Sequence, residues 1–272
     1  MKEIINRANQ LKYSSLKYLE KEDIANLDLY INKNDSIFFY SIISDTAKVD
    51  WAANTKSVFL NGLRDLIDKL RENKTINKVH IEFIPPEFVS DMEKEGFIIV
   101  SEWIDFWYNN LEEKDIQLAD NLTIREIKDN EYESAALVTQ SCKDFSRGYT
   151  GETSEWIKDW NGNDDSIVFL AEKEKSIVGV CCANLYGFDR EDGPIMWLRE
   201  LAVHPEYHSQ KIGLNLMSYA IKWGITKGAK RSFLACDEDN KKAIKLYEGI
   251  GYQRNSERGQ INMESNSLLN IN

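Results

Sequence analysis

At 272 residues, with 42% hydrophobic and 11% aromatic content, the chain suits two globular domains with substantial cores and is too apolar for a disordered protein. Its charge of −11 is spread fairly evenly, with 15 basic and 22 acidic side chains in residues 1–120 and 19 and 23 in the remainder, so no basic face offers itself to nucleic acid. No apolar run approaches the roughly 20 residues that span a bilayer, and residues 1–40 lack the basic start and apolar core of a signal peptide; a cytoplasmic protein away from membranes is expected.

The chain opens with a polar region predicted to be helical over about 3–32, with Ile4, Ile5, Ala8, Leu11, Leu16, Leu19, Ile24 and Leu27 as apolar positions. Ser36 to Ser44 reads as a buried strand. Residues 55–72 form an amphipathic helix on the stripe Val58, Phe59, Leu63, Leu66, Ile67 and Leu70. A strand follows at Lys78 to Ile84. Pro85-Pro86 stops it and starts a helix over 87–95, which Gly96 ends before Phe97 opens a strand region reaching Trp107.

Residues 109–120 are polar and mark a linker. Beyond them come a strand at Leu122 to Glu126, a helix at about 130–143, a Gly/Ser/Thr-rich loop at 144–153 and a short helix at 154–160. Ser166 to Ala171 and Ser176 to Tyr186 make a hairpin around Glu172 to Lys175. An apolar strand then ends at His204-Pro205, and a polar turn carrying Gly213 leads into a helix over 213–227. A strand at Arg231 to Cys236 and a helix over 239–249, closed by Gly251-Tyr252, complete the pattern. Strand, turn and helix in that order aim free backbone N–H groups and the positive end of a helix dipole at one spot, which suits a phosphate.

The order is that of an α+β sandwich with helices on both faces. Leu63 lies 33 residues before Gly96, and Leu216 lies 35 before Gly251, so the chain reads as an internal duplication. The first copy has Trp51-Ala52-Ala53-Asn54-Thr55-Lys56 ahead of its helix, without a glycine or a phosphate cradle, and is expected to have lost its ligand. Cys142, Cys181, Cys182 and Cys236 sit in apolar surroundings and read as buried free thiols rather than disulfides or zinc ligands, with Cys181 and Cys182 on opposite faces of a strand. His80 and His204 have no metal-spaced partners.

Two stretches carry a family resemblance. Leu201-Ala202-Val203-His204-Pro205 followed by Ile212-Gly213 resembles motif A of the GNAT superfamily of acyl-CoA-dependent N-acyltransferases. Asn240 to Tyr252 resembles the second GNAT signature, Asn-x-x-Ala-x-x-x-Tyr followed by Gly-Phe/Tyr, and the likeness spans roughly 122–264. His208, Ser209 and Lys211 depart from the residues the family prefers there.

The resemblance implies two GNAT-like domains, each a mixed, mostly antiparallel sheet with helices on both faces. One is a degenerate copy over 1–115 and the other a catalytic copy over 120–272. It implies acetyl-CoA as cofactor, with Leu201, Ala202 and Val203 beside its pantetheine arm and His208, Ser209, Gln210, Lys211, Ile212, Gly213 and Leu214 around its pyrophosphate. Asn240 and Ala243 would steady it from the next helix, although Asn240 also suits a helix N-cap. Tyr247 would be the general acid, or a core aromatic with a satisfied hydroxyl. Glu200 would accept the amine's proton if burial raised its pKa, or would pair with Arg199, Arg231 or another cation. Strict strand alternation would bar Arg199 and Glu200 from sharing one cleft. The acceptor would be an amine on a small molecule or peptide, entering by Asp144 to Thr153 and Asp189 to Gly193. An acyl-CoA-binding regulatory module without catalysis is the alternative, and either is compatible with a homodimer.

Overall fold

The computed structural model describes residues 1–19, 24, 27–114, 116–118 and 121–265. The chain divides into two compact units, one of Met1–Glu102 with Arg258–Asn272 and one of Trp103–Glu257. This division differs from the boundary expected at 115–120, because each unit takes its last strand from the other half of the sequence.

In the first unit the elements are α1 (Lys2–Ala8), β1 (Tyr13–Ser14), β2 (Asp28–Asn32), β3 (Ser36–Ile43), β4 (Thr46–Ala53), α2 (Lys56–Leu70), β5 (Lys78–Ile84), α3 (Pro86–Lys94) and the first part of β6 (Phe97–Tyr108). Strands β2, β3 and β4 pair antiparallel in chain order. The helix α2 then carries the chain over to β5, which lies parallel to β4, and the C-terminal strand Gln260–Ser265 pairs antiparallel to β5. The apolar stripe of α2 buries Phe59, Leu63, Leu66 and Ile67 against Phe38, Trp51 and Phe88.

The expected helix over 3–32 is present only as α1. A two-residue strand, a 3-10 turn at Ser15–Tyr18 and the strand β2 replace the rest, and positions 20–23, 25 and 26 of that expectation lie outside the described residues. Here tertiary pairing overrides local pattern: Ser15 exchanges hydrogen bonds with the backbone of Trp51, and β2 is zipped along β3. The strand β4 was not legible either, since Thr-Ala-Lys-Val-Asp-Trp-Ala-Ala is poor in β-branched residues, yet it is central and almost wholly buried.

The second unit comprises the last part of β6, β7 (Leu122–Glu126), α4 (Tyr132–Gln140), α5 (Ser154–Asn161), β8 (Ser166–Lys173), β9 (Ser176–Tyr186), β10 (Ile195–Val203), α6 (Ile212–Thr226), β11 (Arg231–Asp237), α7 (Lys241–Ile250) and β12 (Gln253–Arg254). Strands β7 to β10 form an antiparallel meander. The β8–β9 hairpin turns at Glu174 and Lys175, both at positive φ, as a tight two-residue turn requires. The helix α6 crosses over to β11, parallel to β10, and Trp103–Tyr108 of β6 pairs antiparallel to β11. One face of this sheet packs on α6 and α7, with Leu216, Met217, Ala220 and Tyr247 in the core; the other packs on α4 and α5, with Ala135, Val138 and Ile157. All four cysteines are free and buried, and Cys181 and Cys182 fall on opposite faces.

Candidate active site

The parallel ladder between β10 and β11 pairs only Ile195 with Arg231, Met196 with Ser232 and Trp197 with Phe233. Past that point both strands run on without pairing each other, β10 to Val203 and β11 to Asp237. The backbone of β10 beyond Trp197 is tied to β9 on one side only. A cavity of about 570 Å³ lies in this opening, lined by Leu198 to Val203 from β10, Leu234 to Cys236 from β11, the turn and first residues of α6, and Asn240, Ala243, Leu246 and Tyr247 at α7.

The start of α6 gives one end of the cavity its chemistry. Lys211 is the N-cap residue, at φ 61°, and no side chain caps the helix. The first-turn N–H groups of Ile212, Gly213 and Leu214 have no carbonyl one turn earlier to bond, so they are donors for an anion, reinforced by the helix dipole. Gly213 lies close to α7: a Cβ there would stand 3.2 Å from Leu246 Cδ2, so that side chain would have to give by a few tenths of an ångström. Ser209 is also left-handed, at φ 62°, so two positions where glycine would be easier are held by residues with side chains. His208 donates from Nε2 to the Val203 carbonyl at 2.7 Å and stacks edge-on against Phe145, fixing the turn to the strand it leaves.

Every residue expected at the site lines this cavity except Gln210. The Gln210 amide instead accepts from Lys173 Nζ at 2.6 Å. Asn240 both lines the cavity and caps α7, its side chain accepting from the Ala243 N–H at 3.2 Å. His204 caps the short turn after β10, and His80 lies beside Glu82 and Glu264. Among the described residues no cluster of side chains has the makings of a metal site.

Two ionisable side chains bring acid–base capacity. Glu200 is buried, and its carboxyl is pushed up to about 7, first by that burial and then by the charge of Glu152, against the opposing pull of Arg199. Tyr247 is buried on α7, with Phe106 and Tyr252 rings 6.2 and 6.3 Å from its own. Burial, followed by Cys236 and Glu200, raises its hydroxyl well above the usual range, so it holds its proton. Glu200, its carboxyl raised toward neutrality, and Tyr247, its phenol protonated, thus wall one cavity.

Strict alternation failed at this point of β10. The register with β9 shifts between Leu198 and Glu200, so Arg199 is a bulge residue and both neighbours line the same cavity. The Arg199 guanidinium stacks over Trp156 at 5.2 Å and Trp197 at 5.9 Å and meets Glu152 at 3.3 Å. Sequence reasoning had given no role to Trp103, which walls the cavity too, together with Phe145, Ser146 and Tyr149. The last three belong to the loop expected to receive the acceptor. That loop is clamped by Arg147, whose backbone and side chain donate to the fully buried Asp237 carboxylate at 2.8 to 3.2 Å. Burial alone would raise the Asp237 pKa, but these bonds outweigh it and hold the carboxyl below its ordinary value. The other expected acceptor segment, Asp189 to Gly193, does not line the cavity.

An α+β sheet thus opens between two parallel strands onto a helix start without a side-chain cap, which gives one cavity both an open strand edge and an anion-binding end. Residues 130–252 match the model of the Acetyltransferase (GNAT) family, whose chemistry is acyl transfer from an acyl-CoA. Over 97% of its length the chain resembles a GCN5-related N-acetyltransferase from Sphaerobacter thermophilus, covering 89% of that chain at TM-score 0.64 and 13% identity. A tandem GNAT protein from the clavulanic acid biosynthesis pathway matches 97% of this chain and 95% of its own, at TM-score 0.64 and 9% identity. A GCN5-related N-acetyltransferase from Kribbella flavida matches 89% and 90%, at TM-score 0.55 and 11% identity. At such identities the likeness is one of fold.

Proposed function

We propose that the second unit transfers an acetyl group from acetyl-CoA to a primary amine of a small molecule or peptide, and that the first unit is a degenerate copy of it that binds no acyl-CoA. The observation that carries this reading is the single cavity shared by the open end of α6, the unpaired edge of β10, Glu200 and Tyr247.

The cavity suits the cofactor. Its walls are largely apolar, as a pantetheine arm needs, and an open strand edge can receive such an arm as it would an added strand. Backbone donors at Ile212 to Leu214 and the charge of Lys211 serve the pyrophosphate. When bound, acetyl-CoA supplies an electrophilic thioester carbonyl and a thiolate leaving group. Glu200 accepts the proton that an ammonium must lose before it becomes nucleophilic, and its raised pKa matches it to that task near neutral pH. Tyr247 holds the proton for the departing sulfur. The net charge of −11 favours a cationic acceptor.

Calorimetry with acetyl-CoA and CoA, followed by an amine panel with thiol release as readout, tests the reading. Tight binding with release on at least one amine is expected. Absence of binding removes the enzyme reading, and binding without transfer on any amine leaves a regulatory acyl-CoA module in its place. Tyr247→Phe should cut kcat by about 10²-fold or more with acetyl-CoA affinity nearly unchanged. Equal turnover would strip Tyr247 of its catalytic role.

A further inference from the structure

Tyr149 stands in the loop between α4 and α5, a region that the two family signatures do not reach. It packs against the core cluster on the α4–α5 face of the sheet, to which Cys142, Val180, Cys182 and Ala202 belong, and it walls the cavity alongside Glu200. Its hydroxyl oxygen is buried and makes no hydrogen bond of normal geometry among the described residues. A buried phenol left without a partner is costly, so a fold that keeps one at a cavity wall invites a use for it. The acceptor beside it is the Glu200 carboxylate, close enough for each group to act on the other's proton.

We propose that Tyr149 is the positioning residue of Glu200: its hydroxyl donates to the carboxylate and holds it, charged and turned toward the cavity, ready to take a proton from the incoming amine. This rests on the proposed acetyl transfer for its purpose, though not for its test. Each neighbour of Glu200 bears on its titration in an identifiable way. Glu152, at the entrance to α5, is a like charge that disfavours ionisation, while Arg199, on β10 itself, favours it. Cys142 at the end of α4, Cys181 and Cys182 on β9 and Tyr247 on α7 each have their own ionisation opposed by burial and by Glu200, so they stay protonated and neutral. Glu152 already meets Arg199, so part of that cation's pull on Glu200 is spent. Beside the backbone N–H of Leu201, Tyr149 is therefore the neutral side chain placed to donate to the charged form. A donor of this kind favours the carboxylate over the acid.

The loop is built to hold the donor in place. Arg147, two residues earlier, is fastened to Asp237 by four hydrogen bonds and reaches Asp239 at 3.0 Å, so the segment carrying Tyr149 is anchored to the end of β11. The residue that aims the base and the strand that bounds the cavity are thus tied together.

The test is the titration of Glu200 in the full chain, followed by carbon NMR of labelled glutamate carboxyls and assigned with Glu200→Gln. In the wild type the midpoint is expected near 7. In Tyr149→Phe, which removes only the hydroxyl, the acid dissociation constant should fall about tenfold, moving the midpoint up by about one unit. An unchanged midpoint overturns the proposal. If the variant does not fold, the wild type still decides: labelled Tyr149 Cζ should shift in step with Glu200, and that inflection should vanish in Glu200→Gln. A Tyr149 signal that ignores Glu200 overturns the proposal as well. These readouts need no turnover, so a failed amine screen would remove the proposed reaction and leave the Tyr149–Glu200 pair tested. Where transfer is found, the low-pH limb of kcat/KM should move up with the midpoint in Tyr149→Phe and recover its height at high pH. A uniform drop with no movement of the limb would mark Tyr149 as merely structural.

Discussion

The two units solve the same geometric problem in opposite ways. In each, a strand is followed by a helix that crosses over to a parallel neighbour, and in each the parallel ladder is short, ending at Val49–Ile81 in the first unit and Trp197–Phe233 in the second. In the second unit the gap beyond is left open. In the first it is filled from within: Trp51, fully buried on β4, reaches across to donate its indole N–H to the Glu82 carbonyl of β5 at 3.1 Å. Phe59 and Phe88 pack on it, with ring centroids 4.3 and 6.1 Å away. The edge of β4 that β5 leaves is taken by Tyr13 and Ser14, paired with Ala53 and Ala52, while Ser15 bonds the Trp51 backbone. Even the helix end is closed, because Thr55 caps α2 by accepting from the Val58 N–H, where α6 has no side-chain cap. A binding site on this scaffold is therefore what remains when the scaffold declines to satisfy itself. The first unit gained packing where the second retains unmet donors, an open strand edge and a buried carboxylate.

The largest expected effect comes from the exchanged strands. Ile104 and Phe106, both fully buried in the second unit, lie on β6, and Phe106 touches Tyr247. A fragment cut at the sequence linker, residues 120–272, loses both, at about 2–5 kcal/mol each, against a typical total of 5–15 kcal/mol. It also bares the edge of β11. It should show no cooperative thermal unfolding, whereas Trp103–Glu257 should fold. If both fragments melt alike, the strand does not belong to that unit's core.

Next in size is the plug. Trp51→Ala should destabilise the chain by about 3–5 kcal/mol in urea unfolding. Calorimetry on the surviving folded protein should still find no second acyl-CoA site, because β1, Ser15 and the Thr55 cap remain. A second equivalent bound would show that Trp51 alone separates a degenerate unit from a competent one.

Smaller, and opposite in sign, is the effect of the buried carboxylate. The Glu200 carboxyl is raised from an ordinary value of 4.5 to about 7 in the folded chain. Between those values the folded state keeps a proton that the unfolded state has released, so stability falls as pH rises through that window, by roughly 3 kcal/mol in all. Glu200→Gln should therefore be more stable than the wild type by roughly 2–3 kcal/mol above pH 7, with the difference closing below about pH 5. A wild type that gains on its variant as pH rises would mean the carboxylate is stabilised in place, and would deny it the role of a base.

Much of this contrast was written in the sequence, and its omissions have physical causes. The elements of the second unit were legible because its strands are runs of Val, Ile, Leu and Phe bounded by turns, and its two signatures placed Tyr247 and Glu200 on one cavity. The absence of a cradle ahead of α2 was legible too, but not the reason, since Ser15 and Tyr13 act on residues 36 and 40 positions further along the chain. Tyr149 escaped notice because loops position side chains through contacts such as Arg147–Asp237 that no periodicity announces. The bulge at Arg199 defeated a sound rule, alternation, at the place where the site needed a side chain re-aimed.

The smallest effect concerns the residue at the head of α6. Lys211 stands at φ 61°, where a Cβ costs on the order of 1 kcal/mol, and it does so as the N-cap of the helix that opens on the cavity. Lys211→Gly relieves that strain and gives up some order in the unfolded chain in exchange, so stability should rise by no more than about 1 kcal/mol. The backbone N–H groups stay where they are. The side chain's charge is lost, and with it a long-range attraction for a pyrophosphate. Acetyl-CoA affinity should therefore fall a few-fold at low ionic strength and converge with the wild type in high salt, where the Debye length shrinks to about 3 Å at 1 M. Affinity that rises on substitution would mean that Lys211 obstructs the turn it caps, and that the glycine-free form of the motif is a step toward the closed state already reached in the first unit.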